Sequence, residues 1–144
     1  MSFVRIWVHL VFSTKNREPW LNKEIRSEVH EHIKVNCKEK EIFLQAINGH
    51  SEHLHCLVSL GKDQTIARVS QLIKGESSFW INSVKLIPEK FIWQDDYYAV
   101  SVSESKVAEV VSYINNQEVH HGKKSFADEV EEFMTKYGWK NVNQ

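Results

Sequence analysis

Two short spacings bring metal-binding and nucleophilic side chains together in this sequence. His53-Leu54-His55 places two imidazoles one residue apart, and Tyr113 precedes Gln117 by four positions. Residues two apart project from one face of a strand, and residues four apart share one edge of a helix. Paired imidazoles can chelate a divalent cation, an amide oxygen can add a ligand, and a tyrosine hydroxyl can act as a nucleophile. Each pair alone is a weak indicator, because surface histidine pairs and half-buried helical tyrosines are common.

The first half of the chain has the periodicity that the histidine pair needs. Residues 3–12 alternate as a strand, with Arg5, Trp7 and His9 on the face opposite Ile6, Val8, Leu10 and Phe12. A helix ending near Cys37 follows, since apolar residues recur every fourth position at Leu21, Ile25, Val29 and Ile33. Strands are predicted at 41–47 and 53–60, joined by a turn at Asn48-Gly49.

The second half places the tyrosine on a helix. Asp63 is the predicted cap of a second helix, and residues 98–103 form a fourth strand. A third helix is predicted from Ser105 to about Val119, with Tyr113 and Gln117 flanking a core stripe of Val107, Val110, Val111 and Ile114. Ser125 and Asp128 resemble a capping box that opens a last helix, which stops at Gly138.

This order of elements predicts the fold class. Strand, helix, two strands, helix and strand, followed by two helices, is the split βαβ order of a ferredoxin-like α+β fold. We expect an antiparallel sheet with helices on one face and additional packing from the C-terminal helix. Residues 1–144 are interpreted as a single domain, because no repeat, linker or shift in composition divides them.

Composition limits how the chain could bind nucleic acid and where it would work. A formal net charge of -1 argues against wholesale phosphate binding, so any DNA contact should be a local patch. Candidate phosphate contacts are Lys15, Arg17, Lys74, Lys123 and Lys124. Cys37 and Cys56 are interpreted as reduced, and the absence of a leader or a long apolar span favours a cytoplasmic, non-membrane protein.

The joint pattern resembles the single-tyrosine HUH transposases of small bacterial insertion sequences, nearly end to end. The family's His-hydrophobic-His strand is matched by residues 53–55, and its tyrosine and glutamine one turn apart by residues 113–117. Supporting segments are HLVFSTKNREP after the first strand, QLIKGESSFW in the second helix, WQDDYYAVSVS before the tyrosine helix, and YINNQEVHHGKKSF running out of it.

The resemblance implies a mechanism. His53, His55 and Gln117 would hold Mg²⁺ or Mn²⁺, and Tyr113 would attack single-stranded DNA to leave a 5'-phosphotyrosine and a free 3'-hydroxyl. It also implies recognition of DNA hairpins at the ends of an insertion sequence. A homodimer is implied too, in which the tyrosine helix can complete the partner's active site.

Other interpretations remain open from the sequence. A non-catalytic module could bind single-stranded nucleic acid on exposed aromatics such as Trp7. A zinc site could use His50, His53, His55 and Cys56, although Cys56 should point into the core with Leu54. A domesticated relative would keep the same site. His120 and His121 could reach the metal, but they are left outside the predicted site.

Overall fold

In the described part of the chain, four strands and four α-helices position the histidines and the tyrosine. The computed structural model describes residues 1–117 and 124–136, apart from the side chains at 133 and 134. The strands are β1 (Ile6–Ser13), β2 (Phe43–Gly49), β3 (His53–Leu60) and β4 (Tyr98–Val102). The helices are α1 (Lys23–Glu39), α2 (Ile66–Ser83), α3 (Val107–Asn115) and α4 (Phe126–Lys136).

The sheet has the strand order β2-β3-β1-β4, and every neighbouring pair is antiparallel. β3 therefore runs between β1 and β2, as the split βαβ arrangement requires. The ferredoxin-like α+β prediction is confirmed. In the β1–β3 register Val11 pairs with His55 and His9 pairs with Leu57, so His9 and His55 come from adjacent central strands.

The two faces of the sheet are covered by different helices. α1 and α2 pack on the face that carries the larger apolar core, including Leu10, Phe12, Leu54 and Cys56. α3 packs on the other face, where Ile114 meets Trp7, Ala46 and Leu57. α4 lies on that second face too, through Phe126 and Val130 against Val11. The sequence predicts helices on one face with additional packing from the C-terminal helix, whereas α3 and α4 together cover the second face.

The hairpin before His53 differs from its sequence prediction. β2 begins at Phe43 rather than Glu41 and continues through Gly49, so Asn48 and Gly49 pair with β3 instead of forming the turn. Residues 50–52 make the reversal, which the His50 N–H closes by donating to the His53 carbonyl at 3.0 Å. The Asn48 amide meanwhile donates to the Asn115 carbonyl at 3.2 Å, which ties β2 to the end of α3.

Several other boundaries also move. β1 begins at Ile6 rather than Phe3, and Phe3 is exposed. Thr65, not Asp63, caps α2: its hydroxyl accepts from the Arg68 N–H at 3.2 Å, because the cap must directly precede the first helical residue. The Ser125 cap of α4 is confirmed, since its hydroxyl accepts from the Asp128 N–H at 3.2 Å.

The end of the tyrosine helix also differs from the prediction. A 3-10 turn over Glu104–Lys106 precedes α3, and the regular helix ends at Asn115 rather than near Val119. Gln117 follows within the described chain, whereas Val119, His120, His121, Lys123 and Gly138 lie outside the described residues.

Two further expectations concern the cysteines and membranes. Cys37 and Cys56 are both buried and form no disulfide. Among the helices of the described chain, none is both long enough and apolar enough to cross a membrane.

Candidate metal centre and nucleophile

β3 presents both histidines on the face covered by α3 and α4. His53 and His55 are 0% and 1% exposed, while Leu54 and Cys56 lie in the core on the opposite side. The expectation that the two imidazoles project together is confirmed, because their ring centroids are 5.0 Å apart. They are not surface histidines on a solvated sheet.

Gln117 reaches this pair from the end of α3. Its side chain is fully buried, and Oε1 lies 3.1 Å from Nε2 of His53. Among the described residues, the buried Nε2 of Gln117 has no hydrogen-bond partner. The amide oxygen of Gln117 is thus directed at the imidazole of His53.

Glu129 on α4 completes the cluster. Its Oε1 lies 2.8 Å from Nε2 of His55 and 3.4 Å from Nε2 of His53. Ligand atoms of His53, His55 and Glu129 all lie within 4.8 Å of one another. Sequence reasoning missed this residue. The available signal was its position in α4, three residues after Phe126 and one before Val130, where a charge falls on the buried side of the helix.

Tyr113 points into the same cluster. Its hydroxyl donates to Oε2 of Glu129 at 2.5 Å, and its ring centroid lies 5.6 Å from that of His55 and 6.1 Å from that of His9. The side chain is half-buried. The structure therefore brings all four residues of the predicted site, Tyr113, His53, His55 and Gln117, to one place.

A second layer of side chains orients the two imidazoles. Nδ1 of His53 lies 2.7 Å from Oε1 of Glu52, and Nδ1 of His55 lies 2.9 Å from Nε2 of His9. Without a cation, Nε2 of His53 and Nε2 of His55 face the oxygens of Gln117 and Glu129 as hydrogen-bond donors. With a cation bound, each Nδ1 would keep its proton and each Nε2 would offer its lone pair to the cation. Carboxylate and imidazole partners of this kind are typical of metal-bound histidines. The sequence had placed His9 on this face without assigning it to the site.

Burial and neighbouring charges set the protonation of these groups. Burial, reinforced by His55, lowers the pKa of His9 to about 3, so His9 is neutral at pH 7 and its Nε2 can accept a hydrogen bond from Nδ1 of His55. Burial opposes the ionisation of Glu129, but hydrogen bonds from His53 and His55 outweigh it and hold its pKa well below the usual range. Glu129 is therefore a buried carboxylate.

Tyr113 has the opposite electrostatic environment. Burial, followed by the hydrogen bond to Glu129 and its negative charge, raises the pKa of Tyr113 well above that of an ordinary phenol. The hydroxyl is protonated at neutral pH and its hydrogen points at the carboxylate. As a nucleophile it must lose that proton as it attacks, rather than beforehand.

The donor set fits a divalent cation. Ligand atoms of His53, His55 and Glu129 lie within 4.8 Å of one another, and Oε1 of Gln117 lies 3.1 Å from Nε2 of His53, so all four side chains could contact one ion. Imidazole, amide and carboxylate donors together suit Mn²⁺ and allow Mg²⁺.

Two rival interpretations each lose a residue on which they depended. Cys56 lies in the α1 and α2 core on the far side of the sheet, so it cannot join His53 and His55 in a zinc site. Trp7 is only 8% exposed and donates its indole N–H to Glu104, so it offers no open ring for base stacking.

The described candidates for phosphate contact differ in how far their charges are already engaged by the protein. Lys74 donates to the carbonyls of Gln94 and Asp95 at 2.6 and 2.8 Å, and its ammonium is thereby tied to the protein. Arg17 lies over the Phe126 ring beside the site, 5.1 Å from its centroid. Lys124 forms an ion pair with Glu132, and Lys15 is exposed.

Comparison with known proteins identifies the family to which this site belongs. The model of the family described as IS200-like transposases matches residues 2–117, which include the histidine pair, the tyrosine and the glutamine. The chain belongs to the IS200-like transposase family. Membership supports a DNA-processing transposase function. No curated protein matches the chain significantly.

Solved structures share the fold of this family member. A candidate transposase from Deinococcus radiodurans R1 is 22% identical, with a TM-score of 0.65 over 81% of this chain and 93% of that one. A REP-associated tyrosine transposase bound to a REP hairpin is 18% identical, with a TM-score of 0.63 over 85% of this chain and 72% of that one. At these identities the likeness supports the fold alone. The chemistry must be argued from the residues of the site.

Proposed function

We propose that this IS200-like transposase cleaves and rejoins single-stranded DNA at hairpin-bearing ends of an insertion sequence, using Tyr113 as nucleophile. His53, His55 and Gln117 would hold Mg²⁺ or Mn²⁺. The single observation that carries the proposal is that the tyrosine and the histidine pair meet at one carboxylate. Oε2 of Glu129 accepts a hydrogen bond from Tyr113, and Oε1 of Glu129 lies 2.8 Å from Nε2 of His55.

The residues divide the work of phosphodiester cleavage. A cation held by His53, His55 and Gln117 would supply charge neutralisation at a non-bridging phosphate oxygen. The Tyr113 oxygen forms a bond to phosphorus as the bond to the departing 3'-oxygen breaks. The phenolic proton leaves, and the 3'-oxygen takes a proton to become a hydroxyl. Attack by another 3'-hydroxyl on the phosphotyrosine reverses these bond changes, so no external energy source is required.

The contacts of Tyr113 bear on whether it attacks within its own chain. Its hydroxyl and ring contact Glu129 and His55 of the same chain. These contacts support attack in cis, whereas the family resemblance also implies a homodimer with exchanged tyrosine helices. Mixing a Tyr113→Phe chain with a His55→Ala chain separates the two arrangements, because only exchange in trans restores activity.

Hairpin DNA is the proposed substrate. One structural relative is bound to a REP hairpin, and the family to which this chain belongs processes DNA. With a formal net charge of -1, binding should depend on local contacts and on hairpin shape more than on overall attraction. Arg17, beside the site on Phe126, is a described cation placed to meet a phosphate there.

A covalent-adduct assay tests the proposal. Labelled single-stranded hairpin DNA from the element's ends is incubated with the protein and Mn²⁺ or Mg²⁺, then resolved on a denaturing gel. We expect an adduct that EDTA and Tyr113→Phe abolish and that Tyr97→Phe retains, because the Tyr97 ring packs beside Lys74 away from the site. Hairpin binding without any adduct would favour the non-catalytic, domesticated relative instead.

A further inference from the structure

Glu129 is the one acidic residue of α4 that the fold buries. It is 6% exposed, whereas Asp128, Glu131 and Glu132 on the same helix are exposed. A carboxylate taken out of water must be compensated by charge or by several hydrogen bonds. Among the described groups that face it are the imidazoles of His55 and His53, at 2.8 and 3.4 Å, and the Tyr113 hydroxyl. A cation bound between the histidines would balance the negative charge in place of the protons that they donate.

The two oxygens of Glu129 face different partners. Oε1 lies 2.8 and 3.4 Å from the Nε2 atoms of His55 and His53, close enough for one cation to contact all three side chains. Oε2 accepts the Tyr113 hydroxyl. One carboxylate thus lies between the position a cation would take and the nucleophile.

The packing of α4 holds this carboxylate in place. The Phe126 ring stacks on the His53 ring, with centroids 4.1 Å apart and an interplanar angle of 12°. Val130, which follows Glu129, packs with Val11 of β1 and the partly buried Tyr98 of β4. Glu129 is therefore positioned by contacts on both sides, as a metal ligand needs to be.

We propose that Glu129 is a further protein ligand of the metal, supplied by α4, and that its second oxygen holds the Tyr113 hydroxyl beside that metal. The inference rests on the proposed function, because it requires the cation at His53, His55 and Gln117. It adds one negative charge to an otherwise neutral set of ligands, which strengthens binding of a divalent cation. It also makes α4 part of the active site.

Calorimetric titration of the full chain with MnCl₂, without DNA, tests the assignment. Glu129→Gln keeps the size of the side chain and removes its charge, and we expect its Kd for Mn²⁺ to rise about 10-fold or more. Glu132→Gln makes the same charge change on the exposed side of α4 and should stay within about twofold of wild type. A Glu129→Gln protein that binds Mn²⁺ as tightly as wild type, or more tightly, would overturn the proposal.

Two controls separate this outcome from failure of the proposed function. If wild type takes up no Mn²⁺, or if His55→Ala binds it unchanged, the metal site itself is wrong. If His55→Ala abolishes binding and Glu129→Gln does not weaken it, only the role of Glu129 is wrong. Melting curves without metal check that each variant folds, and Glu129→Asp, which keeps the charge but shortens its reach, replaces Glu129→Gln if that protein does not fold.

Discussion

At the scale of single residues, the site depends on side chains that do not touch the reacting atoms. Glu52 and His9 contact the Nδ1 atoms of His53 and His55, which leaves both Nε2 atoms directed at the cluster. Glu52 is stabilised as a carboxylate: burial opposes its ionisation, but the hydrogen bond from His53 prevails and lowers its pKa to about 2. The orientation of the imidazoles is therefore set before any ligand binds.

Removing Glu52 should loosen this orientation. For Glu52→Ala we expect Mn²⁺ affinity to fall about 10- to 100-fold, because loss of such a partner lets the imidazole rotate and lowers its basicity. The measurement is the Kd from titration with MnCl₂. Glu89→Ala, at an exposed position in the loop before β4, is the matched control. Equal affinities in the two variants would show that His53 is oriented without Glu52.

At the scale of elements, the close approach of β2 and β3 fixes where His53 begins its strand. A Cβ on Gly49 would lie 2.1 Å from the His53 backbone oxygen, so only glycine allows this contact. That contact also explains why Asn48-Gly49 misled the turn prediction: glycine is required there by a neighbouring backbone within the sheet, not by a left-handed turn. A sequence pattern cannot distinguish the two causes.

Gly49→Ala should therefore displace the first metal ligand. We expect a loss of more than about 1 kcal/mol in the free energy of unfolding, together with weaker Mn²⁺ binding. Gly75→Ala in α2 meets no atom within 4 Å and should stabilise the chain by about 0.5–1 kcal/mol, since alanine favours a helix interior. Urea unfolding of each variant measures the change in its free energy of unfolding relative to wild type. A neutral Gly49→Ala would mean that β2 and β3 can separate there at little cost.

At the scale of the whole molecule, the sheet separates the main apolar core from the polar cluster of the candidate site. One face carries the main apolar core under α1 and α2, and the other carries the polar cluster under α3 and α4. The alternation of strand residues predicted that His53 and His55 project together, away from the apolar core. The element order likewise predicted the ferredoxin-like fold, because each helix and strand had a clear period.

Glu129, Glu52 and His9 could not be assigned in the same way. Glu129 is 74 residues from its partner His55, and His9 is 46 residues away, so only the packing of α4 and β1 brings them together. Glu52 is next to His53 in sequence, yet its role depends on the chain reversal at residues 50–52. The sequence predicts that reversal two residues earlier, at Asn48-Gly49. The sequence shows which residues share a face within one helix or strand. Contacts between residues of different elements can be identified only once the fold is known.

The central claim is that Tyr113 becomes covalently joined to DNA. The most direct measurement is mass spectrometry of the protein–DNA adduct after nuclease and protease digestion, with hairpin substrate and Mn²⁺. We expect a nucleotide attached through its 5'-phosphate to the peptide that contains Tyr113, and a matching DNA fragment that ends in a 3'-hydroxyl. An adduct on any other residue, a tyrosine joined to a 3'-phosphate, or cleavage without an adduct would contradict the account.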